Sequence, residues 1–108
     1  MVNRSLPIDS VFHSLADPTR RDILKRVAKK ELSVSEISKP YKMSVAAISK
    51  HLKVLEQAKL VTKRREGKLF LVRLSIAPIA EAVDYLEEYK RMWEDRLDRL
   101  EAYLKSIQ

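Results

Sequence analysis

The chain has 108 residues, 45% of them hydrophobic and 34% charged, with 22 Lys and Arg against 15 Asp and Glu for a net charge of +7. This is the make-up of one domain with an ordinary core. Its single Gly argues against a glycine-rich loop that wraps backbone amides round a phosphate, and the lack of Cys removes disulfides, thiolate metal sites and thiol nucleophiles together.

The N-terminal MVNRSLPIDS has no apolar run of the signal-peptide kind, so the cytoplasm is the expected location. A first short helix is expected from about Asp9 to Leu15, with Val11, Phe12 and Leu15 on one side. In ADPTRRDILKRVAKK, Asp17 can cap a second helix and Pro18 can occupy its first position, where a missing N–H costs nothing. Ile23, Leu24 and Val27 would then face inward.

The stretch SVSEIS places Glu36 three residues after Ser33, the capping-box spacing, so a brief third helix should start there and stop before Pro40. Ser44 is the next cap. Val45, Ile48, Leu52 and Leu55 recur at steps of three, four and three, which is the inward stripe of a fourth helix. Two short helices joined by a tight turn make a helix-turn-helix.

After Leu60 the period changes to two. LVTKRREGKLFLVRL reads as a two-stranded hairpin turning at Glu66 and Gly67, with Val61, Phe70, Val72 and Leu74 inward and Lys63, Arg64 and Arg65 on its first strand. From Pro78 to residue 107 the expectation is one long helix. Ile79, Val83, Leu86, Lys90, Trp93, Leu97, Leu100, Leu104 and Ile107 alternate steps of four and three, a heptad seam with Lys90 as its one polar member. Such a helix outruns the body before it, so the seam is expected to meet a second copy, with Val11, Phe12 and Leu15 nearby. A terminal helix folded back on its own core is the plainer alternative.

Charge is segregated along the chain. Lys39 to Arg73 holds ten bases against Glu56 and Glu66, a net of +8, while the chain from Pro78 onward is net −3. A basic segment built from a helix-turn-helix and a hairpin suits a polyanion. With its stripe turned inward, the fourth helix presents Ala46, Ser49, Lys50, Lys53 and Gln57 outward, with Ser44 and Ala47 near its start and His51 on the flank. Small residues let a backbone approach a groove edge, hydroxyls and amides can bond bases, and lysines reach bases or phosphates. Ser44, Ala46, Ala47, Ser49 and Lys50 are therefore expected near base edges in a DNA major groove. Lys53, Lys63, Arg64, Arg65 and Lys68 are expected on phosphates. The competing view of each is an ordinary solvated surface, and for the whole chain a coiled-coil adaptor docking on an acidic protein. Double-stranded RNA fits poorly, because its deep narrow groove does not admit a helix.

Chemistry finds little footing. Ser49, Lys50 and His51 are adjacent, but helix neighbours point about 100° apart and cannot make a nucleophile–base pair by themselves. His13 and His51, the only imidazoles, fall on different helices with no acid at ligand spacing in sequence, so neither a metal nor another cofactor is expected. The chain is not read as an enzyme.

The runs LADPTRRDILKRVAKKELSVSEI and SVAAISKHLKVLEQAKLVTKRREGKLFLVRL, spanning roughly residues 10 to 76 with the parts between them, resemble the ArsR-type winged-helix transcriptional regulators. The tail WEDRLDRLEAYL is similar to that of a branch without metal sites. The resemblance implies one winged helix-turn-helix domain over residues 1–108, mainly α with a small β-hairpin, its core at 9–76 and a dimerisation helix at 78–107. It implies a homodimeric repressor that meets an imperfect palindrome through its recognition helices, with a dimer contact at Val11, Phe12, Leu15, Leu86, Trp93, Leu97, Leu100 and Leu104. Ser33 and Ser35 stand where metal-sensing members carry cysteines, and hydroxyls are poor ligands for soft metals. Lys59 stands where members commonly have Gly. No membrane partner is expected; the effector is open between a small organic molecule and a protein.

Overall fold

The computed structural model describes residues 2–108, with side chains from Ile8 onward. In chain order its elements are α1 (Val2–Leu15), α2 (Pro18–Lys29), β1 (Leu32–Ser33), α3 (Val34–Ser38), α4 (Val45–Gln57), β2 (Val61–Glu66), β3 (Leu69–Leu74) and α5 (Ala77–Ser106). α1 begins seven residues earlier than the sequence pattern suggested, with no acidic residue in its first turn.

Local chemistry sets most of the helix ends. Asp17 accepts from the Arg20 backbone N–H at 3.0 Å, with Pro18 opening the helix. The Ser33–Glu36 capping box is closed on both sides: Ser33 Oγ accepts from the Glu36 amide at 3.1 Å and Glu36 accepts from the Ser33 amide at 2.9 Å. Ser44 Oγ accepts from the Ala47 amide at 3.1 Å and starts α4. α4 ends in a Schellman turn, where the Leu60 amide bonds Leu55 O at 3.0 Å and the Lys59 amide bonds Glu56 O at 2.9 Å. Lys59 takes the left-handed φ of +62° that this turn requires.

The core draws on every layer. Ile23, Leu24 and Val27 of α2, Ile37 of α3, Ile48, Leu52 and Leu55 of α4, then Leu60, Val61 and Val72 are all buried together. Val11 joins them at 2% exposure, buried in the chain's own core rather than open for the dimer contact expected of it. Two further expectations need correcting. Val45 is 63% exposed, because the inward stripe at the first turn of α4 projects past the end of the core. Phe70, expected inward, is 45% exposed for the same reason at the tip of the hairpin.

The sheet has three strands, not two, in the order β1-β3-β2, all antiparallel. Leu32 and Ser33 pair with Val72 and Leu71, so the residues that cap α3 also cover the edge of the hairpin. β2 and β3 pair from Val61↔Leu74 to Glu66↔Leu69 around a two-residue turn. Gly67 supplies its positive φ of +62°, the pattern of a II′ turn with glycine first.

α5, 30 residues long, spans about 45 Å at 1.5 Å per residue. Its first turns pack on α1: Ala82 is buried, Ile79 lies against the core, and the Phe12 and Tyr85 rings are 6.3 Å apart. Beyond them the seam is bare. Val83, Leu86, Trp93, Leu97, Leu100, Leu104 and Ile107 are each between 48% and 62% exposed, so the helix does not fold back on its own core.

Candidate nucleic-acid interface

The helix-turn-helix formed by α3, the turn and α4 turns one side of α4 into the core and leaves the other bare. Ser44, Ala46, Ser49, Lys50, Lys53 and Gln57 are exposed, while Ala47 and His51 are half-buried at the margin. Ser44 Oγ is partly committed, since its cap bond to Ala47 uses acceptor capacity and leaves the hydroxyl proton to donate. The outward surface is short-chained at the N-terminal end and cationic further along, which is the order in which a helix entering a groove end-on meets bases and then phosphates.

The hairpin divides its cations by strand alternation. Lys63 and Arg65 point to the side of β2 that carries Val61, and both lie over the Phe70 ring, at 5.3 and 5.7 Å from its centroid. Arg65 also donates from Nε to Gly67 O at 3.0 Å, which braces the turn. Arg64 points to the other side. There it makes a two-pronged bond to Glu31 at 2.9 and 3.0 Å and a third to Glu66 at 2.6 Å. These carboxylates, Glu31 foremost, raise the guanidinium pKa and offset its charge locally. Of the four hairpin bases expected on phosphates, Arg64 is thus the one already occupied by acids. Lys68, in the turn, is exposed.

His51 has partners that the linear spacing hid. Its Nδ1 lies 3.3 Å from Arg20 Nη1 and 3.8 Å from Asp17 Oδ2, both brought in from the start of α2. Arg20 itself donates to two carbonyls at the end of α1, Ser14 O at 2.8 Å and His13 O at 3.1 Å. Asp17 is held below the usual carboxylate range, first by the Arg20 backbone N–H and then by His51 and the Arg20 charge. Arg20 was not singled out from the sequence, because all its side-chain partners lie in other helices. The only signal was its place one turn after the Asp17 cap. Among the described residues no three His, Cys, Asp or Glu groups are placed to hold a metal, and no helix is long and apolar enough to cross a membrane.

Residues 17–63, from the α2 cap to the middle of β2, match the bacterial regulatory protein family arsR. The chain is 27% identical over 79 residues to the transcriptional repressor SdpR of Bacillus subtilis (strain 168), which covers 73% of this chain and 88% of that protein. Its fold is similar to the crystal structure of the ArsR family transcriptional regulator RHA00566, with a TM-score of 0.78 at 30% identity over 82% of this chain and 91% of that one. It is also similar to the solution structure of the homodimeric winged helix-turn-helix DNA-binding domain of Mb0332 from Mycobacterium bovis, with a TM-score of 0.64 at 26% identity over 79% of each chain.

Proposed function

The chain belongs to the arsR family of bacterial transcriptional regulators and carries its winged helix-turn-helix, and from this premise we propose that it is a homodimeric repressor that binds an imperfect palindromic operator. The observation that carries the reading is the outward side of α4: Ala46, Ser49, Lys50, Lys53 and Gln57 are all open to solvent on a helix whose opposite side is fixed in the core. In this reading α4 enters the major groove with Ser44, Ala46, Ala47, Ser49 and Lys50 near base edges. Lys53, His51, Lys63, Arg65 and Lys68 lie towards phosphates, and the β2–β3 hairpin acts as the wing.

Dimerisation is supported by the bare seam of α5. Exposed apolar surface of this length marks an interface, and a heptad repeat selects a helix of like pattern. Leu86, Trp93, Leu97, Leu100 and Leu104 would form the contact, with Phe12 and Leu15 beside it. A two-fold dimer then offers two α4 helices to half-sites about 34 Å apart. SdpR is described as a repressor and the Mb0332 domain as homodimeric, and both descriptions favour the same reading for this chain.

A gel-shift with DNA from upstream of the protein's own coding region tests it, followed by footprinting of the complex. A discrete complex that survives excess non-specific competitor, with protection on two successive major grooves, is the expected result. Binding that competitor removes completely would sink the sequence-specific reading.

A further inference from the structure

Arg20 and His51 form a contact whose chemistry fixes more than packing. A guanidinium has only donors, so the 3.3 Å contact from Arg20 Nη1 requires His51 Nδ1 to be the acceptor. The neutral ring must then carry its proton on Nε2. That second nitrogen has no partner among the described residues, on a side chain that is 21% exposed. His51 lies on the flank of α4, between the buried stripe of Ile48, Leu52 and Leu55 and the exposed Lys50. The flank of a helix seated in a major groove is the part that passes a phosphate strand.

We propose that Arg20 is a positioning residue for DNA binding: by clasping the end of α1 and donating to Nδ1, it holds His51 as the Nε2–H form, ready to donate to a backbone phosphate oxygen. The inference rests on the DNA-binding reading above. Three bonds from one guanidinium, to Ser14 O, His13 O and His51 Nδ1, leave the side chain little freedom. Without Arg20, the ring can turn to the competing arrangement already in reach. A proton on Nδ1 would face Asp17 Oδ2, now 3.8 Å away, and Nε2 would become an acceptor, which a phosphate repels.

Nitrogen-15 NMR of the imidazole rings in mildly alkaline buffer reads the proton's location directly in the wild-type protein. The expected spectrum has His51 protonated on Nε2 and bare on Nδ1. A double-mutant cycle then tests whether Arg20 acts through His51. Arg20→Met should weaken operator binding by about tenfold, the scale of one lost charge-assisted hydrogen bond, and should mix the two ring forms. In a His51→Leu background the same change should cost almost nothing. His51→Gln, whose amide can accept from Arg20 and donate to a phosphate, should restore most of the binding lost in His51→Leu. A proton on Nδ1 in the wild type, or equal losses from Arg20→Met in both backgrounds, would overturn the inference. If Arg20→Met does not fold, the wild-type spectrum and the His51→Gln rescue decide the matter. A wild type that binds no DNA at all would instead remove the reading on which the inference rests.

Discussion

Replacing Lys59 by Gly should make the protein more stable, although the side chain lost is exposed and cationic. Lys59 has φ +62° because the Schellman turn that ends α4 demands a left-handed residue between the Glu56 and Leu55 carbonyl bonds. An L-residue with a Cβ pays about 1–2 kcal/mol for that conformation. Glycine does not, but it gives the unfolded chain about 0.4–1 kcal/mol more entropy to lose. The net gain is about 0.5–1 kcal/mol, or a rise in Tm of about 4 °C for a domain of this size. Urea unfolding and a thermal melt at one fixed protein concentration would measure it, since the stability of a dimer depends on concentration. Lys59→Ala is the control, because it removes the same charge and keeps the Cβ. Glycine no more stable than alanine at this position would refute the backbone argument.

Ser33→Ala should cost about 1 kcal/mol, since it opens the capping box at a residue only 4% exposed; an unchanged melting curve would contradict that role. Asp17, Glu31 and Glu36 all have carboxyls held below their usual values of 3.8 for Asp and 4.5 for Glu, chiefly by the Arg20 amide, the Arg64 side chain and the Ser33 amide respectively. The folded state therefore takes up protons less readily than the unfolded one. Their stabilisation is complete above those usual values and drains away as pH falls through the lowered ones, so urea midpoints should drop on acidification, and less steeply in Glu36→Gln. Trp93→Glu puts a charge in the α5 seam and should give a monomer by sedimentation; a mutant that still runs as a dimer would place the interface elsewhere. Lys68→Ala should lower the slope of log K against log salt by about one unit, while Arg64→Ala should lower it less because Glu31 and Glu66 already offset that charge; equal slopes would count against the division of the wing.

The legible parts of this fold are those written within a few residues of one another. Asp17–Pro18, Ser33–Glu36 and Ser44 each specify a helix start through bonds to amides one turn away, and each does so in the structure. The α4 stripe and the α5 seam were readable because helical period turns spacing into direction. What escaped depends on where the core ends. Val45 and Phe70 keep the inward phase of their elements, yet both lie beyond the last residue able to cover them. β1 escaped for another reason: two residues have no period, and Leu32 and Ser33 are a strand only because Val72 and Leu71 lie beside them. Arg64, Arg20 and His51 share that limit. Their partners sit between 2 and 34 positions away, and only the 2-residue contact, Arg64 with Glu66, was open to a local reading.

These long-range contacts bear on how a dimer would hold its two recognition helices. Any spacing set by α5 reaches α4 through the body, and the first step is α1, which packs on α5 where Phe12 meets Tyr85. The second step is the corner where α1 ends. There Arg20 takes the last carbonyls of α1 and the flank of α4 with one side chain. A loosened corner would leave the angle of α4 relative to the seam to its core stripe alone. The operator spacing would then be tolerated more loosely, so Arg20→Met should lower not only affinity but also the penalty for inserting a base pair between half-sites. Competition between operators of different spacing would measure that penalty, and an undiminished preference would show that the core alone fixes the angle of α4.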